Sequence, residues 1–172
     1  MVNGLIVPTI PPPLYPDMTL ASLSLAAFAL LAASYTDLRW RRIPNSLCLF
    51  VAWLALPYWV GRAGWRPEAL LVPLTLLLAS ATILIPLWLA RLIGGGDVKL
   101  LASLMLWQDG HRLDVLLVGT VLAGGAIGLV LWAAERLRPD GARLSVPYGV
   151  AITAGAFLAF FPLYRALLLS IR

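Results

Sequence analysis

The sequence predicts an all-α, polytopic membrane protein of about six transmembrane helices, and three observations predict it. Of its 172 residues, 61% are hydrophobic and only 12% are charged, and the mean hydropathy is +0.90. The apolar residues gather into runs near the roughly 20 residues that cross a hydrocarbon core. Within those runs the apolar positions are continuous and do not alternate, which favours helices over a transmembrane barrel.

Six apolar segments are expected, at 18–36, 43–60, 68–92, 96–108, 115–135 and 147–169. The first follows a proline-rich stretch without Lys or Arg. Lacking a positive n-region, residues 1–17 read as an exposed tail and not as a signal peptide. Asp37 to Arg42 separate the first segment from the second, and Gly61 to Pro67 separate the second from the third. The third segment is long and carries Pro73 and Pro86, so a kink is expected in it. Gly94-Gly95-Gly96 precede the fourth, which is short enough to raise the alternative of a re-entrant hairpin. Gln108 to Asp114 and Arg136 to Val146 bound the fifth. Nothing along the way separates two domains, so residues 18–172 are expected to form one transmembrane domain.

The net charge of +5 does not point to nucleic acid, because the basic residues are scattered between apolar runs. They set orientation instead. The connections after the first, third and fifth segments hold Arg39, Arg41, Arg42, Arg91, Lys99, Arg136, Arg138 and Arg143. The opposite side holds Arg62, Arg66, Arg112, Arg165 and Arg172, which places the first group in the cytoplasm. The seven tryptophans and several tyrosines near run ends fit interfacial anchors. The single cysteine, Cys48, excludes an internal disulfide and a multi-cysteine metal site, and reads as a small packed residue. His111, the only histidine, sits in a polar loop. No cofactor and no metal are expected.

Two carboxylates adjoin apolar helix on the positive side: Asp37 ends the first segment and Asp97 begins the fourth. Two crossings separate them, so they share a face, and two more bring Pro147-Tyr148-Gly149 to the same face. Each has a plain reading. Asp37 can be a boundary residue paired with Arg41 one turn on, and Asp97 can be an N-cap after a glycine loop. Together they offer chemistry. Two carboxylates within a few ångströms cannot both ionise cheaply, so the pair holds one proton near neutrality. One group then takes a proton from water while the other donates to a carbonyl oxygen, as in aspartic peptide hydrolysis. Gly94, Gly95 and Gly96 would let a substrate backbone approach and adopt unusual dihedrals. The plain alternative for them is an interhelical turn. Lys99, two residues beyond Asp97, points away from it on a helix and reads as an interface anchor or a substrate-positioning charge.

Gly94-Gly95-Gly96-Asp97 fits a GxGD pattern, and its continuation Val98-Lys99-Leu100-Leu101 resembles the GxGDxKLL stretch of type IV prepilin peptidases. Asp37-Leu38-Arg39 followed by Arg42-Ile43-Pro44-Asn45 resembles that family's other aspartate segment, and Pro147-Tyr148-Gly149 resembles its third landmark. The resemblance covers nearly the whole chain and implies a GxGD aspartic protease of a prokaryotic cytoplasmic membrane. It implies Asp37 and Asp97 as the catalytic pair and Gly94 and Gly96 as motif glycines, with Gly95 in the variable position. Pro44, Asn45, Pro147, Tyr148, Gly149 and Lys99 are expected to shape the site. The implied substrate is a prepilin or pseudopilin whose basic leader is cut at the cytoplasmic face, just before its hydrophobic helix. Larger members add a segment with paired CxxC motifs and methylate the new N-terminus. With one cysteine, this chain is expected to be a peptidase only, acting on Flp-type (tight-adherence) pilins, with an archaeal preflagellin peptidase as a smaller alternative. Two readings from other classes are a proton-coupled transporter and a structural pilus-assembly subunit.

Overall fold

The computed structural model describes residues 13–110, 112–137 and 146–170. The expectations for residues 1–12, His111, Arg138, Arg143 and Arg172 fall outside the described residues. Six α-helices occur in the described chain, with no strand among them: α1 (Pro16–Trp40), α2 (Asn45–Ala63), α3 (Leu71–Leu89), α4 (Gly95–Met105), α5 (Leu113–Arg136) and α6 (Tyr148–Ser170). A 3-10 turn, Pro67–Leu70, leads into α3. All but α4 are long and apolar enough to cross a membrane.

The inner face of α1 follows a three-four spacing: Thr19, Ser22, Leu23, Ala26, Ala29, Leu30, Ala33 and Asp37 are buried. Residues so spaced share one face of a helix. Small side chains dominate it, which lets neighbouring helices approach closely where hydrophobic burial supplies little drive between them. Against this face pack α2 and α6, and α4 fills the space between those two. Buried residues of these four helices make the core, joined by Leu116 of α5. α5 rests on α6 and α3 rests on α4, and both turn leucines and valines outward, Leu78 and Val121 among them. Pro73 lies buried in the first turn of α3 and Pro86 lies within its last.

The fourth segment departs from expectation. Its helix has only 11 residues, about 16 Å at 1.5 Å each and roughly half a hydrocarbon core. The chain nevertheless runs the whole length of α2. Lys99 bonds Asn45 at the start of α2, whereas Asp109 lies 4.0 Å from Arg62 near its end. Between them, Trp107 and Gln108 are 1% exposed in a non-helical stretch. Irregular backbone at that depth needs internal partners, and α2 supplies them. The Trp59 indole donates to the Leu106 carbonyl at 2.8 Å, and the Trp107 indole donates to the Val51 carbonyl at 3.0 Å. The segment is therefore not a re-entrant hairpin.

At the start of α1, Leu14 and Tyr15 lie in the stretch expected to be an exposed tail. Their backbone N–H groups donate to the carbonyls of Arg62 and Gly61, which ties this part to the end of α2. The Thr19 backbone nitrogen would stand 2.9 Å from a Cβ placed on Gly61, a second mark of that close approach.

Candidate active site

The ends of α1, α3 and the starts of α2, α4 and α6 meet at one end of the bundle. Asp37 is the last residue of the buried α1 stripe and is 8% exposed. Its Oδ2 accepts the backbone N–H of Gly149 at 2.8 Å. Gly149 is the second residue of α6, where the first-turn N–H groups lack intrahelical acceptors. A carboxylate at that position satisfies one of them and complements the helix dipole. The partner of Asp37 is thus the start of α6. The pairing with Arg41 does not form; Arg41 instead ends α1 in the left-handed region (φ 54°), its N–H bonded to the Asp37 carbonyl at 2.9 Å.

After Arg41 the chain turns sharply, and Ile43 drops into the core before Pro44 caps α2. Ile43 is the hinge of the site. A Cβ on Gly96 would stand 3.1 Å from the Ile43 Cβ, and one on Gly149 would stand 3.1 Å from its Cδ1. The starts of α4 and α6 therefore both pack closely against this one side chain. Asp97 enters the same site from α4, on the row of Leu100 and Leu104 that faces the core. Its carboxyl lies within reach of the charge on Asp37, and its Oδ2 lies close against Gly94. Gly94 is the N-cap and Asp97 stands three residues further on, so Asp97 is not the N-cap itself.

The left-handed dihedrals that glycine allows are not used here. None of Gly94, Gly95 or Gly96 has positive φ; the left-handed residue before α4 is Arg91, at φ 60°. What these glycines permit is close approach. A Cβ would lie 2.8 Å from Asp97 Oδ2 at Gly94, 3.1 Å from the Trp88 indole nitrogen at Gly95, and against Ile43 at Gly96. Lys99 turns outward and donates to Asn45 Oδ1 at 2.9 Å, binding the start of α4 to the start of α2. Pro147 is buried at the start of α6, while Tyr148 is 52% exposed. Cys48 is buried in the apolar core.

Four residues escaped the sequence reading: Ile43 as the hinge, Trp88 over Gly95, and the hydroxyls of Ser34 and Thr153. Ser34 Oγ lies 2.7 Å from Thr153 Oγ1, which donates to the Leu30 carbonyl at 3.1 Å. Ser34 Oγ also donates to the Gly149 carbonyl at 3.4 Å. This short polar chain pins α6 to α1 one turn behind Asp37. Spacing held the signal, because Ser34 precedes Asp37 by three residues and Thr153 follows Gly149 by four, both same-face offsets on a helix. No group of three or more His, Cys, Asp or Glu side chains suited to a metal occurs among the described residues.

The model of the type IV leader peptidase family matches residues 24–133, a stretch that includes both aspartates and the three glycines. The chain is 32% identical, over 80% of its length, to proteins named prepilin leader peptidase/N-methyltransferase from Burkholderia pseudomallei strains 1026b and K96243. It spans 46% of the length of each, so less than half of those relatives is represented. No solved structure matches it. A match over most of the chain, ordered along an all-helical membrane bundle, settles the family: this chain belongs to the type IV leader peptidases.

Proposed function

We propose that the protein is an aspartic endopeptidase that removes the basic leader from prepilins or pseudopilins, with Asp37 and Asp97 as its catalytic pair. The observation that carries the reading is that Asp97 on α4 lies within electrostatic reach of Asp37 on α1, the two coming from different helices. The mechanism uses one of the two carboxyls protonated and the other ionised. The deprotonated group takes a proton from a water, and the water oxygen bonds to the scissile carbonyl carbon. The protonated group gives its proton to the carbonyl oxygen as that carbon becomes tetrahedral. Collapse breaks the C–N bond: the leaving nitrogen takes the proton that came from water, and one hydroxyl of the tetrahedral carbon returns its proton to the other carboxylate, restoring the pair. The Gly149 N–H holds the Asp37 carboxyl, so that group is oriented before substrate arrives.

The proposal puts this end of the bundle at the cytoplasmic face, which is supported by the exposed Arg39, Arg41, Arg42 and Arg91 there. Flp-type pilins are the proposed substrates, and peptide cleavage without methyl transfer is the proposed activity. The test is cleavage of a prepilin by purified protein in liposomes, followed by mass spectrometry. Asp37→Asn and Asp97→Asn are each nearly isosteric, and Asp37→Asn retains a side-chain carbonyl to accept the Gly149 N–H. Both variants should therefore insert and fold while losing cleavage. Cleavage retained by either variant removes that residue from the mechanism, and transfer of a methyl group from S-adenosylmethionine to the product removes the peptidase-only reading.

A further inference from the structure

An apolar groove of about 750 Å³ runs between α1 and α6 on the membrane side of the bundle. Ser24, Ala27 and Leu31 of α1 form one wall, and Ala154, Phe157 and Phe161 of α6 form the other. No charged side chain lines it. We propose that this groove seats the apolar helix that follows the scissile bond of the substrate, an inference that rests on the peptidase reading above.

Three features of the groove support that occupant. The first is position. The row 24, 27, 31 continues by helical spacing to Ser34, whose bond to Thr153 ties α1 to α6 toward the aspartate end. Asp37 and Gly149 lie one turn beyond that bond, so a helix in the groove delivers the residues before it to the carboxyls. The second is length. From Ala154 to Tyr164, α6 advances roughly 15 Å at 1.5 Å per residue, which matches about three turns of a partner helix. The third is texture. Ser24, Ala27 and Ala154 keep the floor low, and helices associate in lipid through such small residues because packing, not water exclusion, drives them together. Leu31, Phe157 and Phe161 stand 52%, 40% and 63% exposed as the rims. A substrate whose helix starts directly after the cut needs this arrangement: an apolar seat that ends at the catalytic pair.

The experiment uses the full chain in liposomes with a full-length prepilin. In the Asp97→Asn variant, which holds substrate uncut, benzoylphenylalanine is placed at Leu31, at Phe157 or, as control, at Val121 on the outer face of α5. Photolysis should join Leu31 and Phe157 positions to the apolar helix of the pilin, with Val121 joined only to lipid. In the otherwise natural protein, Ala27→Phe fills the floor and should raise KM about tenfold with kcat kept, the signature of lost binding and not of lost chemistry. Val121→Phe should change neither. Cross-links from the groove to lipid alone, with KM unmoved by Ala27→Phe, would show that acyl chains occupy it and overturn the proposal. Equal loss of kcat and binding would assign Ala27 a structural role and overturn it as well. Failure of the natural protein to cut any prepilin is a different result, and strikes the peptidase reading instead.

Discussion

Replacing Gly149 by alanine tests the site with a single methyl group. Gly149 has no left-handed backbone to excuse it, and it lies in the first turn of a helix, where alanine ordinarily stabilises by about 0.5–1 kcal/mol. Here the added Cβ would lie 2.9 Å from Asp37 Oδ2, 3.0 Å from Asp37 Cβ and 3.1 Å from Ile43 Cδ1. Ordinary contact begins at 3.4 Å, so Asp37 must retreat by about 0.5 Å with Ile43 blocking one side. That retreat stretches the 2.8 Å bond from the Gly149 N–H past its favourable range. Losing a hydrogen bond to a charged group costs about 1.5–3 kcal/mol. Net of the helix gain, Gly149→Ala should destabilise by about 1–2 kcal/mol. With Asp37 in its proposed catalytic role, a shift of a fraction of an ångström should cost at least about tenfold in prepilin cleavage. Gly125→Ala in α5, where nothing lies within 4 Å of the new methyl, is the matched control and should keep full activity. Denaturant unfolding in detergent and leader release from a prepilin measure the two quantities. Natural stability together with natural cleavage in Gly149→Ala would refute the idea that close contact between α6 and Asp37 sets the site.

Further outcomes follow from the same geometry. Cleavage plotted against pH should be bell-shaped, falling on the acid side as the pair takes a second proton and on the alkaline side as it loses its only one, with both apparent values belonging to the pair; a profile level from acid to neutral pH contradicts a shared proton. Ser34→Ala and Thr153→Val should each lower stability, and a double-mutant cycle should find coupling of about 0.6 kcal/mol or more, the usual scale for side-chain bonds between membrane helices; strict additivity would deny the polar pin. Lys99→Met removes one exposed hydrogen bond to Asn45 and should cost only about 0.5–1 kcal/mol in unfolding, whereas loss of cleavage beyond that small effect would move Lys99 into contact with substrate.

Much of the bundle is written in the chain as local pattern. Long apolar runs bounded by polar connections fix the five long helices, because a segment crossing lipid must satisfy its own backbone and therefore declares itself by length and composition. The three short motifs around Asp37, Asp97 and Gly149 were legible too, and parity of crossings placed them on one side. The fourth segment was less legible. An 11-residue helix cannot declare a crossing by length, and its completion depends on indole donors from Trp59 and Trp107 that become partners only when α2 lies alongside.

By itself, then, the sequence determined the class of fold, the number of apolar segments and the side chains able to do acid–base chemistry, since these depend on composition and on spacing within one helix. The tertiary structure alone decided that Asp37 caps α6 instead of pairing with Arg41, that Ile43 packs against two helix starts, and that the motif glycines make room for Asp97, Trp88 and Ile43. Those are contacts between residues tens of positions apart, and their distances depend on how whole helices pack against one another, which no local pattern encodes.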